Sequence, residues 1–136
     1  MRKKILFGIG FLLLCLAGWG IYSVLKPHSN VEGEEPIATL TAADLYSAFQ
    51  HDENLANKKW VGKVIEVSGT ISSVNEAGKY VSVNLAGTAD GAVNCSILKK
   101  DLNPETKFNK GDSITIKGKC TGFLMDVNLV DCVVKK

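Results

Sequence analysis

Alternation of apolar and polar residues with period two runs through most of the chain after Trp60 and constrains its fold more than any other feature. Successive side chains of a β-strand point to opposite faces of a sheet, so each alternating stretch predicts a strand with one apolar face. Gly69 interrupts the first stretch and indicates a bend or a bulge there. The sequence therefore predicts five strands, at 63–74, 80–86, 92–98, 113–120 and 127–134.

The five predicted strands must curl together, because each has one apolar face to bury and a sheet has edges to protect. Short turns at 75–79 and 87–91 join the first three strands, and a longer connection at 99–111 leads to the fourth. This order predicts a five-stranded Greek-key barrel, the OB-fold, with a small β-sandwich as the alternative. The helix usual between strands three and four of that barrel would be absent or very short.

A helix is predicted before the strands, in the stretch LTAADLYSAFQ. Thr41 is a suitable N-cap, and Asp44 stands three residues later, as in a capping box. Tyr46 and Phe49 recur at helical spacing and are expected to pack in the core. The fold class is therefore all-β with one N-terminal helix, and the helix at 42–50 is expected to cap a mouth of the barrel.

The first 25 residues have a different composition from the rest. Three basic residues at 2–4 precede the 21 uncharged residues ILFGIGFLLLCLAGWGIYSVL at 5–25. A helix of that length spans about 32 Å, enough to cross a bilayer core of roughly 30 Å. The sequence therefore predicts an N-terminal membrane anchor at 1–25, a polar tether at 26–40 and an OB-fold domain at 41–136.

The basic residues at the start also predict the orientation of this anchor. An excess of Lys and Arg stays in the cytoplasm, so the C-terminal domain is expected outside it, in a single-pass protein of a bacterial inner membrane. Two alternatives remain: a cleaved signal peptide, and a lipoprotein signal acylated at Cys15. Leu14 stands where lipoprotein processing requires a small residue.

The charge balance of the outer part argues against strong electrostatic binding of nucleic acid. The whole chain has a formal charge of +2, but four of its 16 basic residues flank the predicted anchor: Arg2, Lys3, Lys4 and Lys26. The remaining 12 basic residues face 14 acidic ones. Phosphate binding driven by a protein's field usually needs a basic face, which this composition does not predict.

Four segments carry a resemblance to a known family: TAADLYSAFQHDENLANKKWVGK, VIEVSGTIS, GDSITIKGKCTG and DVNLVDCVV. Together they resemble the tRNA-anticodon-like (tRNA_anti-like) OB-fold family, which includes small bacterial envelope proteins and lipoproteins. The resemblance covers about residues 41–134. It implies an OB-fold and a relation to nucleic-acid-binding modules, although a fold does not determine a function.

Three cysteines lie in predicted strands three, four and five: Cys95, Cys120 and Cys132. No pair has the C-x-x-C spacing of zinc or thioredoxin-like sites, so no metal site is predicted. Strand five of an OB barrel lies between strands three and four, so Cys132 could form a disulfide with Cys120 or with Cys95. Three reduced core thiols are the alternative. A bulge near Val130 would turn Cys132 inward and leave Asp131 outside.

The sequence contains no recognisable catalytic site, and neither an enzyme nor a cofactor is predicted. OB domains bind extended ligands on the outer face of strands two and three and on the adjoining loops. That outer face is predicted to carry one aromatic residue, four small polar residues and three lysines at its edges: Tyr80, Ser82, Asn84, Asn94, Ser96, Lys79, Lys99 and Lys100.

These observations predict a non-catalytic binding module that contacts the membrane through its N-terminal helix. Interaction with an unknown protein of the cell envelope, or scaffolding there, is the preferred function. The alternative is weak binding of single-stranded nucleic acid, or of another extended polymer, on the outer face of strands two and three. The acidic balance and the single exposed aromatic residue favour the first.

Overall fold

A computed structural model describes residues 2–24 and 31–135. The elements are α1 (Arg2–Val24), a 3-10 turn (Val31–Gly33), β1 (Thr39–Thr41), α2 (Ala42–His51), α3 (Glu53–Trp60), β2 (Val64–Ala77), β3 (Tyr80–Thr88), β4 (Gly91–Leu98), a 3-10 turn (Lys99–Asp101), β5 (Ser113–Leu124) and β6 (Asp126–Lys135).

The predicted five-stranded OB barrel is confirmed. The strands follow the order β2, β3, β4, β6, β5, and a further pairing of β5 with β2 closes the sheet on itself. Closure excludes the β-sandwich. Strand β2 pairs with β5 through residues 64–70 and with β3 from Ile71 onward, and a register shift lies between Ile71 and Ser73. The single 3-10 turn between β4 and β5 replaces the usual helix, as the sequence predicted.

The core is formed by the inward rows of the five barrel strands. Apolar side chains from every strand are fully buried there, among them Ile65, Val83, Val93, Ile116 and Leu129. Strand β6 keeps this pattern through an irregularity: Lys117 lies opposite Val133, whereas Lys119 lies opposite Val130. The extra residue is accommodated at Asp131, which has a φ of 51°. The bulge predicted near Val130 is therefore confirmed, and it turns Cys132 into the core.

Helix α2 closes one end of the barrel, as the sequence predicted. Its N-cap is Thr41, whose hydroxyl accepts a hydrogen bond from the Asp44 amide at 3.1 Å. The rings of Tyr46 and Phe49 pack against Phe123 near the end of β5, with centroids 5.5 and 5.8 Å away. Both helix residues are buried, so their predicted role in the core is confirmed.

Residues 31–41 lie along the outside of the barrel, although the sequence assigned 26–40 to a tether. Residues 26–30 fall outside the described residues. Strand β1 adds a sixth, parallel strand to β2, with Leu40 opposite Val67. Val31 is buried, and the Lys117 ammonium donates to the backbone oxygens of Glu32 and Glu34, both at 2.9 Å. These contacts attach the segment to β2 and β5.

The membrane anchor that the sequence predicted at residues 1–25 is not supported by the structure. Helix α1 includes the three basic residues at 2–4. Within residues 2–24 and 31–135, no helix combines the length and the apolar character needed to cross a membrane. The predicted single-pass inner-membrane location, with the C-terminal domain outside the cytoplasm, is therefore wrong.

Gly118 offers a direct test of how the core is packed. A Cβ atom added at Gly118 would lie 2.5 Å from the Cys132 sulfur. Because overpacking a core costs about 1–3 kcal/mol, we expect Gly118→Ala to lower the free energy of unfolding by that amount. Cys132→Ala removes the sulfur, so the same substitution should cost less in that background. Denaturant unfolding of the two singles and the double variant measures both quantities.

Gly33 provides the matched control, since a Cβ atom there would meet nothing within 4 Å. Gly33→Ala should change the free energy of unfolding by less than about 0.5 kcal/mol. An equal cost for Gly118→Ala with and without the Cys132 sulfur would show that this contact does not limit the packing.

Candidate functional site

The outer face of β3 and β4 brings together the small polar residues predicted from the sequence. Ser82 lies opposite Ser96, and Asn84 lies opposite Asn94, in an antiparallel register. All four alternate with buried residues and are themselves half-buried. The face therefore consists of aligned hydroxyl and amide groups with the barrel core directly beneath them.

Hydrogen bonds connect the amide groups of this face into a row that crosses several strands. The Asn94 side-chain amide donates to Oδ1 of Asn84 at 2.7 Å, and the Asn84 amide donates to the Ser73 hydroxyl on β2 at 2.8 Å. On the other side Asn128 of β6 lies in register with Asn94. We call Ser73, Asn84, Asn94 and Asn128 the amide row. Each primary amide has two N–H donors and an oxygen acceptor, and the Asn84–Asn94 contact uses one donor.

Three lysines surround a cavity at the end of this face nearest the β2–β3 turn. The cavity has a volume of about 550 Å³ and is lined by Lys79, Leu98, Lys99 and Lys100. Tyr80 adjoins it, in register with Leu98 on β4. The structure therefore places the predicted aromatic residue and all three predicted lysines in one region, which we call the lysine pocket.

Two of the three lysines of the lysine pocket already contact neighbouring side chains. The Lys79 ammonium lies 5.5 Å from the centroid of the Tyr80 ring, a cation–π contact. The Lys99 ammonium is 2.7 Å from a carboxylate oxygen of Glu76, and the two side chains are 43% and 67% exposed to solvent. A surface ion pair of this kind contributes little energy, so a phosphate group could compete with Glu76 for Lys99.

The exposed apolar tip of the turn between β5 and β6 was not identified from the sequence. Leu124 and Met125 expose 83% and 86% of their surface at its tip. Its backbone is held nevertheless: the Tyr46 hydroxyl donates to the Met125 oxygen at 3.2 Å, and the Ala92 amide donates to the Asp126 carboxylate at 2.8 Å. Met125 has a φ of 64°, which a long side chain seldom adopts. The one sequence signal was FLM, an apolar run without a turn residue.

A second groove lies on the other side of the barrel, along β2 and β5, and it too was missed. Its volume is about 630 Å³, and five hydroxyl side chains line it together with Lys135: Thr41, Ser68, Thr70, Ser113 and Thr115. Lys135 forms an ion pair with the buried Glu66 at 2.8 Å. Alternation alone does not single out this groove, because hydroxyl residues at outward strand positions are also ordinary surface.

The three cysteines of the barrel strands point into the core and are not exposed to solvent. Cys95, Cys120 and Cys132 are buried free thiols, so the predicted disulfide of Cys132 stays a prediction. Burial raises the pKa of the Cys120 thiol from 9.0 to about 11, opposed by a hydrogen bond with the Gly122 backbone. In the described part of the chain, no group of three His, Cys, Asp or Glu side chains could hold a metal ion.

Comparison with known proteins confirms the family resemblance. The profile of the tRNA_anti-like family matches residues 1–134, which is nearly the whole chain. No curated protein has a significant match to the sequence.

Solved structures of similar fold come from several kinds of protein. A "putative nucleic acid-binding lipoprotein" from Klebsiella pneumoniae subsp. pneumoniae is 17% identical with a TM-score of 0.56, over 82% of this chain and 100% of that one. This likeness shows the fold alone. Asparaginyl-tRNA synthetase from Entamoeba histolytica is 16% identical with a TM-score of 0.49, over 74% of this chain and 24% of that one. The S. pombe Stn1-ten1 complex is 14% identical with a TM-score of 0.42, over 54% and 58%. At these scores the last two carry no argument.

The turn at Met125 predicts a gain in stability on substitution. Asn tolerates a positive φ better than Met, so we expect Met125→Asn to raise the free energy of unfolding by up to about 1 kcal/mol. Leu124→Asn is the matched control, because Leu124 is equally exposed and lacks the positive φ. Chemical denaturation compares the three proteins. A loss of stability in Met125→Asn would show that the Met125 side chain is retained for packing.

Proposed function

The chain belongs to the tRNA_anti-like family of OB-fold domains, and we propose that it binds single-stranded nucleic acid across the outer face of β3 and β4. The lysine pocket beside Tyr80 is the observation that carries this proposal. It joins three cations and an aromatic ring at one end of a polar face. Proteins that bind single strands combine such groups, a positive surface for the backbone and rings for stacked bases.

The lysine pocket supplies the contacts to phosphate in this proposal. Lys79, Lys99 and Lys100 converge on one cavity, and each ammonium donates hydrogen bonds without demanding a fixed geometry. A phosphate bound there would lie beside the Tyr80 ring. One face of that ring is shared with Lys79, so a base would stack on Tyr80 after Lys79 moves toward the phosphate.

The amide row supplies hydrogen bonds to the bases. Asn84 and Asn94 have donors and acceptors pointing away from the core, and amide groups of this kind pair with base edges. Their mutual hydrogen bond fixes both side chains before a ligand arrives. This preorganisation reduces the entropy lost on binding.

The proposal is a weak, salt-sensitive binding role without catalysis. The face has one ring near its lysines, and Glu76 already neutralises part of the charge of Lys99. The similar Klebsiella protein, whose name includes nucleic acid binding, supports this ligand class. No observation on the described residues supports the interaction with a cell-envelope protein that the sequence favoured.

Protein interaction remains a second candidate, favoured by the Leu124–Met125 turn. Two large apolar side chains stand in solvent on a backbone held by Tyr46 and Asp126, and such rigid apolar groups are typical of contacts with other proteins. The Leu124→Ser/Met125→Asn variant separates the candidates. A protein docked on this turn would be lost, whereas oligonucleotide affinity would stay the same.

Anisotropy of a labelled single-stranded oligonucleotide at low salt tests the proposed function. Tyr80→Ala should weaken binding by about tenfold, since stacking on one ring contributes roughly 1–3 kcal/mol. Substitution of Lys79, Lys99 and Lys100 by Gln should also lower the slope of log affinity against log salt by about 2, given roughly 0.7 per phosphate contact on single strands.

The control replaces three other exposed lysines by Gln, at Lys58, Lys63 and Lys110. This variant has the same net charge as the variant of the lysine pocket, but it should bind almost as the parent protein does. Equal losses in the two triple variants would mean that net charge alone drives association. Full affinity in Tyr80→Ala and in the variant of the lysine pocket would exclude this face as the binding site.

A further inference from the structure

Two buried thiols of neighbouring strands meet inside the barrel. Cys95 lies on β4 and Cys132 on β6, with exposures of 0% and 1%. These strands are neighbours in the sheet, and Cys95 pairs in register with Leu129. The bulge at Asp131 then turns Cys132 inward, and Cys95 is among the groups that raise the pKa of the Cys132 thiol.

The missing side chain at Gly118 determines where the Cys132 sulfur lies. A Cβ atom at Gly118 would come within 2.5 Å of this sulfur, so the sulfur occupies space above β5 that any other residue would fill. Cys120 lies two residues further along β5, in register with Leu129. Of the two candidate partners, Cys95 is the one that raises the pKa of the Cys132 thiol, which favours the pairing with Cys95 over the pairing with Cys120.

The join between β4 and β6 is the shortest ladder of the barrel. Three residue pairs connect these strands, Val93 to Cys95 with Val127 to Leu129, and they are parallel. The other four joins of the barrel have between six and eight pairs each. A covalent link beside Cys95 would reinforce the join that the backbone supports least.

We propose that Cys95 and Cys132 form a disulfide that links β4 to β6 when the chain folds with a thiol oxidant present. The oxidant is a small disulfide such as oxidised glutathione. One S–S bond forms between the two cysteines and two S–H bonds break. The two electrons cleave the S–S bond of the oxidant, which takes up the two protons and leaves as two thiols.

Burial decides when this reaction takes place. It raises the pKa of the Cys132 thiol well above its ordinary value, and the hydrogen bond and charge interaction with Cys95 add to that effect. Thiolates, not thiols, attack disulfides, so the closed barrel reacts slowly. The link therefore forms during folding or through opening of β6, and once formed it is protected from small reductants.

The link would also act on the outer face. Asn94 is the chain neighbour of Cys95 and lies on the opposite side of β4, in register with Asn128. Joining β4 to β6 at Cys95 fixes the spacing of these two members of the amide row. This effect concerns the rigidity of the face and does not depend on the identity of its ligand.

Oxidative refolding of the full chain tests the proposal. The reduced, denatured protein is diluted into buffer with reduced and oxidised glutathione, and free thiols are then alkylated and counted by mass. We expect two of the four cysteines to be protected, leaving Cys15 and Cys120 free. Because trypsin leaves Cys120 and Cys132 on one peptide, cleavage at Met125 is added before the linked peptides are identified. Thermal unfolding should shift upward by roughly 10 °C or more and return on reduction.

Variants provide the controls. Cys120→Ala should still protect two thiols, whereas Cys95→Ala should protect none and should show no redox-dependent shift in unfolding temperature. Four free thiols after refolding of the parent chain, or a bridge between Cys120 and Cys132, would overturn the proposal. The peptide map of the parent chain decides the pairing even if Cys95→Ala does not fold.

Discussion

Closure of the barrel depends on the division of β2 between two partners. Residues 64–70 pair with β5 and residues from 71 onward pair with β3, so one continuous strand turns the corner that joins the sheet to itself. Gly69 lies at this corner, where a Cβ atom would come within 3.0 Å of Ala42 and 3.2 Å of Leu85. The corner therefore also receives the start of α2, and through α2 it positions the aromatic cluster that closes one end. Without this division the sheet would have two open edges and an exposed apolar face.

The proposed binding face on β3 and β4 follows from the same geometry, because the packing of one set of side chains into the core determines which side chains point outward. Val83 and Cys95 are fully buried and lie opposite each other, so Asn84 and Asn94 must meet on the outer surface. The cost of burying a polar group keeps the amides outside, and their hydrogen bond gives the face a fixed pattern. Tyr80 and the lysines come next to this pattern because the β2–β3 turn and the end of β4 lie at the same end of the sheet. The arrangement of polar groups on this face therefore results from the packing of the barrel core, and the residues at the end of the face add the aromatic ring and the positive charges.

The sequence predicted the parts of the fold that period-two alternation controls. It located all five barrel strands, and even the bulge that buries Cys132, because an apolar residue out of phase can be buried in no other way. It did not predict β1, because three residues are too few to show an alternation of apolar and polar side chains. This strand is defined by its pairing with β2. The exposure of Met125 was missed because an apolar run usually indicates burial. Here a hydrogen bond from the Tyr46 hydroxyl to the Met125 backbone oxygen holds the turn, and the Met125 side chain stays in solvent. The predicted membrane anchor was wrong, since no helix within residues 2–24 and 31–135 has the length and the apolar character needed to span a membrane.

Side-chain amide NMR signals test most directly whether a single strand of nucleic acid lies across β3 and β4. Titration of the isotope-labelled full chain with a single-stranded oligonucleotide at low salt reports on each asparagine separately. We expect the side-chain amide signals of Asn84 and Asn94 to shift most, together with the backbone amide signal of Tyr80. The signals of Asn57 and Asn109, which lie away from this face, should not shift. Unchanged signals of Asn84 and Asn94 at a saturating ligand concentration, or shifts confined to Leu124 and Met125, would contradict this placement of the strand.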